Sequence, residues 1–132
     1  MTTILRRTAL AVAAVGVLAA CSNSPATPDL LGSWSGTYTY PTVGGGAMPA
    51  SMTLTITKQD GLLLYGYQEW GSGSDTQRAD LVGSLSAESP TFVLTMGGGF
   101  FTGAVEDTTM NVRFVRTVEG STTSFEASLT KQ

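Results

Sequence analysis

The sequence predicts an all-β protein in which one domain forms a small eight-stranded antiparallel meander barrel with no significant helix. Three observations predict this fold class. From Leu30 onward apolar and polar residues alternate, which is the period of half-buried strands. Glycine-containing turn motifs separate the alternating runs. The composition, with 16 glycines in 132 residues and 8% aromatic side chains, suits a turn-rich β domain.

The strand predictions follow from the positions of the alternating runs. In residues 51–57, Met52, Leu54 and Ile56 share one face and hydroxyl side chains fill the other, and residues 124–130 show the same pattern. Six similar runs predict strands at residues 31–40, 62–70, 79–86, 91–96, 100–105 and 109–118. Windows of eleven residues in this part of the chain show no amphipathic helical pattern.

Short turns between these runs predict a meander. Asp60-Gly61 is a two-residue hairpin signal, Gly97-Gly98-Gly99 supplies positive φ, and Glu119-Gly120 marks another reversal. A meander of eight strands with one apolar face leaves two unpaired edges unless it closes, and closure removes edges that invite aggregation. The sequence therefore predicts a closed barrel.

Four of the predicted strands contain an interior glycine. These glycines are Gly36, Gly66, Gly83 and Gly103. An interior glycine weakens a strand unless it permits a sharp bend or a close approach of backbones, and a strongly coiled small barrel needs both. We also expect Trp34 at the start of the first strand to be buried near the closed end against Met110 and Leu129.

The N-terminal segment has the layout of a secretory signal. Arg6 and Arg7 precede an apolar or small stretch at residues 8–20, which as a helix would cover roughly 20 Å and fall short of the roughly 30 Å hydrocarbon core. The segment ends Leu18-Ala19-Ala20-Cys21 and resembles the lipobox of bacterial lipoproteins. This resemblance implies that the chain is cut before Cys21, its only cysteine, and that the thiol carries lipid.

The domain organisation follows from this predicted signal segment. We expect a lipoprotein signal peptide at residues 1–20, the lipidated Cys21 with a flexible tether at residues 21–29, and the barrel domain at residues 30–132. Without residues 1–20 the chain keeps 5 of 7 basic and all 10 acidic residues, a formal charge of −5. That charge argues against nucleic acid as a partner and leaves the acyl chains as the membrane attachment. The expected location is the bacterial cell envelope, on the extracytoplasmic side.

A second resemblance concerns the barrel itself. The opening Leu31-Gly32-Ser33-Trp34 is similar to the Gly-x-Trp motif that begins the first strand in the calycin superfamily, the lipocalins and avidins. The run from Ser51 through Gly66-Tyr67 to Val82-Gly83 resembles the early strands of an avidin-type barrel in spacing. The resemblance covers the first half of the domain and implies the barrel architecture. An avidin-like site would need tryptophans in the later strands, and no tryptophan follows Trp70. The resemblance therefore does not imply biotin binding.

The composition excludes most catalytic chemistry. Histidine is absent and cysteine occurs once, which excludes Ser-His-Asp and Cys-His centres and a Cys/His zinc site. Carboxylates remain as acid–base groups, and Glu69 is the one expected to point toward the interior. We expect no catalytic residue, no metal and no cofactor, and we predict that the protein is not an enzyme.

The longest predicted loops, at residues 41–50 and 71–78, lie at the same end of the barrel, here called the upper end. Long loops over one end of a barrel are the usual place for binding. Arg116 lies on the same face of its predicted strand as the alternating apolar residues before it, so we expect it to face inward. An inward-facing charge needs a partner, which Glu69 or a tyrosine hydroxyl could supply. The candidate ligand-binding residues at this end are Tyr38, Tyr40, Tyr67, Glu69, Trp70 and Arg116.

The predicted function is a lipid-anchored envelope protein with a non-catalytic barrel that acts as a binding or interaction module. Its partner is either a small apolar or aromatic ligand in the barrel or a protein met by the loops. The alternatives are a barrel-type inhibitor of a secreted enzyme, a purely structural envelope lipoprotein, and a carboxylate-dependent hydrolase. A ligand carrier needs a cavity, whereas an eight-stranded barrel without that task is just wide enough for side chains to fill.

Overall fold

Eight antiparallel strands form a closed barrel in the computed structural model, which describes residues 26–42 and 44–132. Each strand pairs with its neighbours in the chain, and β8 closes the barrel on β1. The fold class predicted from the alternation is confirmed. The strands are β1 Gly32–Pro41, β2 Ala47–Asp60, β3 Leu63–Trp70, β4 Gln77–Leu85, β5 Thr91–Met96, β6 Gly99–Glu106, β7 Thr109–Val118 and β8 Ser121–Lys131.

Among residues 26–42 and 44–132, helix is limited to one 3₁₀ turn, Gly73–Asp75, between β3 and β4. In the described part of the chain no helix is long and apolar enough to cross a membrane. The predicted signal peptide and Cys21 lie outside the described residues.

The largest difference from the predicted elements is the length of β2. This strand begins at Ala47, and its ladder with β1 extends to the pair Pro41↔Ala47, so the first upper loop is only residues 42–46. The sequence did not predict this extension because it contains Pro49. Proline has no N–H to donate to the hydrogen-bond ladder and normally lies at the edge of a sheet. The β2–β3 turn is also displaced by one residue. Asp60 pairs with Leu63, and the positive φ of +59° is at Gly61.

The lower end of the barrel is closed by apolar side chains and by the segment before β1. Trp34 is fully buried, as predicted, and belongs to one core with the fully buried Met110 and Leu129. Leu30 is also fully buried, and its carbonyl accepts a 2.9 Å hydrogen bond from the Trp34 indole nitrogen. The Leu30 amide donates to Gln59 Oε1 at 2.9 Å. The entry of the chain into the barrel is therefore fixed.

Interior glycines lie where neighbouring strands approach most closely, as the sequence predicts. A Cβ added at Gly66 would lie 2.0 Å from the carbonyl oxygen of Thr55, and one at Gly83 would lie 1.9 Å from that of Val93. Both distances are far below van der Waals contact. The tight coiling of the barrel therefore depends on these positions having no side chain.

Candidate functional site

The upper end of the barrel opens into a cavity of about 350 Å³, here called the mouth. This volume is at the small end of the roughly 300–1,000 Å³ found for small-molecule sites. The mouth includes four of the six candidate residues from the sequence. Its lining consists of Tyr38, Tyr40, Ala50, Gln68, Trp70, Gly71, Met96, Phe114, Arg116, Thr123 and Phe125.

One side of the mouth is an aromatic wall made by Tyr40, Tyr38, Phe125, Phe114 and Phe101. Successive ring centroids are 6.0, 3.9, 5.0 and 4.6 Å apart, and the central Tyr38–Phe125 pair is stacked. Aromatic rings at such separations attract one another beyond their buried area. The wall therefore presents an ordered apolar surface that continues from the mouth into the core.

The hydroxyl of Tyr38 stays protonated to a higher pH than that of a free tyrosine. Burial raises the pKa of Tyr38, and the neighbouring Tyr40 raises it further. A tyrosine hydroxyl is neutral at physiological pH even without this shift, and the raised pKa widens the range over which it stays neutral. Tyr38 therefore borders the mouth as a neutral side chain.

Gln68 on β3 is the buried polar residue of the mouth, and the sequence analysis missed it. Its side chain is 3% exposed, and Oε1 is buried without a hydrogen-bond partner among the residues that the structure describes. Leaving a buried acceptor unpaired costs about 1–3 kcal/mol. The alternation of the sequence could have identified Gln68, because it lies on the same face of the strand as the fully buried Leu64. Trp70, one step further along the same face, is half-buried and also borders the mouth.

The expectation that Glu69 points into the interior is wrong. Successive strand residues face opposite sides of a sheet, and Gln68 and Trp70 occupy the inner face of β3. Glu69 and Tyr67 therefore lie on the outer face. Outside the barrel the Arg78 guanidinium stacks 3.4 Å from the centroid of the Tyr67 ring. Tyr67 and Glu69 are thus removed from the candidate mouth residues.

Arg116 borders the mouth from β7 but is exposed at the rim. The predicted pairing with Glu69 is not formed, since Glu69 lies on the other side of the sheet. Within residues 26–42 and 44–132, no carboxylate forms an ion pair with Arg116. Arg113 on the same strand behaves differently, because Glu126 of β8 pairs with it on the outer face. The guanidinium of Arg116 is therefore a positive charge at the entrance to an aromatic cavity.

A wider, open groove of about 1330 Å³ runs over the outer faces of several strands. Exposed threonine and serine side chains, including Thr37, Thr39 and Ser128, form much of its surface. An open groove of this kind encloses little of a ligand, whereas small-molecule sites bury most of theirs. The mouth is the better candidate site.

The chain has no match among protein-family models, and no curated protein matches it significantly.

Proposed function

We propose that this is a lipid-anchored protein of the bacterial cell envelope whose barrel is a non-catalytic module that binds a small apolar or aromatic ligand in the mouth. The observation that carries the proposal is the cavity of about 350 Å³ at the open end of the barrel, bordered by the stacked rings of Tyr38 and Phe125. A small apolar or aromatic ligand would bury most of its surface in such a cavity and stack on these rings.

The alternatives account for the mouth less well. A structural barrel, or an inhibitor that uses only its loops, has no need of an empty cavity at its open end. A carboxylate-dependent hydrolase would need acidic groups beside its substrate. Glu69 was the carboxylate expected there, and it lies outside the barrel.

The chain enters the barrel at the end opposite the mouth. Pro28 is held by Gln59, whose Nε2 donates to its carbonyl at 3.0 Å, and Lys131 Nζ donates to the carbonyl of Asp29 at 3.4 Å. The expected tether is therefore shorter than residues 21–29 by its last two residues. We infer that the mouth faces away from the membrane on average.

Ligand binding is tested by NMR on the full chain labelled at the methionine methyl groups. Met96 borders the mouth, and Met110 is fully buried in the core. Naphthalene, an apolar aromatic probe, should shift the Met96 signal in a saturable way because its ring current acts only over a short distance. The Met110 signal is the internal control and should stay in place. A titration that leaves Met96 unmoved would contradict binding in the mouth.

The anchor is tested at Cys21. We expect the intact mass to correspond to a chain that begins at Cys21 and carries acyl groups, since the lipobox resemblance implies both. Cys21→Ser should remove the acyl mass and release the protein from membrane fractions. A Cys21→Ser protein that still fractionates with membranes would contradict the lipid anchor.

A further inference from the structure

We propose that the ligand is a compact aromatic anion with an uncharged hydrogen-bond acceptor, such as a ketone oxygen, at the end away from its charge, an inference that rests on the proposed function. The acceptor receives a hydrogen bond from the amide N–H of Gln68, the ring packs on the aromatic wall, and the anionic group lies beside Arg116. Each of these three contacts uses a different feature of the mouth.

Gln68 contributes a hydrogen-bond donor to the mouth. Its side chain is 3% exposed and its Oε1 is buried, so the Nε2 amide group is the end that keeps accessible surface. Gln68 lies on the inner face of β3 and borders the mouth, so this surface faces the cavity. An amide N–H can only donate a hydrogen bond. A ligand therefore meets Gln68 best with an acceptor, whereas a methyl group there leaves the donor without a partner.

Two other side chains of the mouth can only donate as well. Trp70 carries an indole N–H and Arg116 carries a guanidinium, and neither group accepts a hydrogen bond. The tyrosine and threonine hydroxyls at the mouth can take either role. Among the described residues that border the mouth none is a carboxylate, although the whole chain has 10 acidic residues against 7 basic ones. The mouth therefore favours ligands with acceptors and negative charge over cations.

Arg116 determines where the charge of the ligand lies. Its guanidinium is at the rim, where a carboxylate or sulfonate stays partly hydrated while it pairs. Solvent at the rim screens this pair, so its contribution to affinity is smaller than that of the buried hydrogen bond and decreases with salt. The inner end of the ligand is uncharged, because an anionic group beside Gln68 would lose its hydration without gaining an opposite charge.

The barrel topology separates the two polar contacts. Gln68 is on β3 and Arg116 is on β7, four strands away in a closed barrel of eight, so the two residues lie on opposite sides of the mouth. A ligand that reaches both must span the cavity with its neutral acceptor and its anionic group at opposite ends. The ring between them then lies against Tyr38 and Phe125, the stacked pair of the aromatic wall.

The test uses four naphthalene probes that are matched in shape at the inner end. They are 6-acetyl-2-naphthoate, 6-isopropyl-2-naphthoate, 2-acetylnaphthalene and 2-isopropylnaphthalene, titrated into the full chain with the Met96 methyl signal as the readout. The isopropyl group replaces the ketone oxygen by a methyl group. We expect the ketone to tighten binding about tenfold and the carboxylate about threefold at low salt, so that 6-acetyl-2-naphthoate binds best.

Two variants assign the contacts. Gln68→Met should abolish the gain from the ketone and leave the affinity for the two isopropyl probes unchanged, which also shows that the mouth of this variant is intact. Arg116→Gln should abolish the gain from the carboxylate and its salt dependence. Gln132→Met and Arg113→Gln are the matched controls, since both residues lie outside the mouth and should leave all four affinities unchanged.

The outcomes separate the inference from the proposed function. Saturable binding of all four probes with equal affinity would overturn the inference and leave the binding module in place. A ketone gain that persists in Gln68→Met, or a loss of the isopropyl probes in that variant, would also overturn the inference. Failure of all four probes to move the Met96 signal would overturn both.

Discussion

Trp34→Ala is expected to lower the free energy of unfolding by about 3–5 kcal/mol, the range for removing a large aromatic residue from a core. Trp34 is fully buried, so its loss leaves a cavity that the curved strands around it cannot fill. The substitution also removes the indole donor from the carbonyl of the buried Leu30. Urea unfolding monitored by circular dichroism measures the change.

Trp70→Ala is the matched control for this substitution. Trp70 is half-buried at the mouth and borders a cavity already present, so its removal should cost less than half as much. A neutral Trp34→Ala, or equal costs for the two substitutions, would contradict a barrel that is filled at its lower end and open at its upper end.

Gly83→Ala is expected to cost about 2–3 kcal/mol, the upper part of the range for overpacking. The added Cβ would lie 1.9 Å from the Val93 carbonyl oxygen and 2.8 Å from Leu94 Cα. Both contacts are backbone atoms of β5, so a change of rotamer cannot relieve them and the two strands must separate. The same unfolding measurement gives the cost.

Gly97→Ala separates this steric effect from the general effect of replacing a glycine. Gly97 lies in the β5–β6 turn, and an added Cβ there meets nothing within 4 Å. Its φ is not positive, so alanine fits the turn. The change in stability should stay within about 0.5 kcal/mol. If both substitutions cost the same, close strand approach at Gly83 is not what the barrel requires.

The fold could be predicted from the sequence because its main determinants are local. Alternation at residues 51–57 determines which face of β2 is apolar, and turn glycines such as Gly98 and Gly120, with φ of +81° and +78°, determine where strands reverse. Pro49 is the instructive exception. A residue that lacks the ladder donor still extends β2, because the long pairing with β1 supports it.

The site was less predictable for a physical reason. Alternation alone could have assigned Gln68 rather than Glu69 to the interior, since a single buried neighbour of the same parity, Leu64, fixes the face. The stacking of Tyr38 on Phe125 could not have been predicted in this way. It depends on the β1–β8 register, Tyr38↔Ala127, which joins the two ends of the domain.

The central claim is that the barrel is closed below and open above at the mouth, and acrylamide quenching of the two tryptophans tests it most directly. Trp34→Phe leaves Trp70 as the only emitter, and Trp70→Phe leaves Trp34. We predict red-shifted, readily quenched emission from Trp70 and blue-shifted, protected emission from the fully buried Trp34. Equal protection of the two residues would contradict the open mouth and indicate a filled, purely structural barrel.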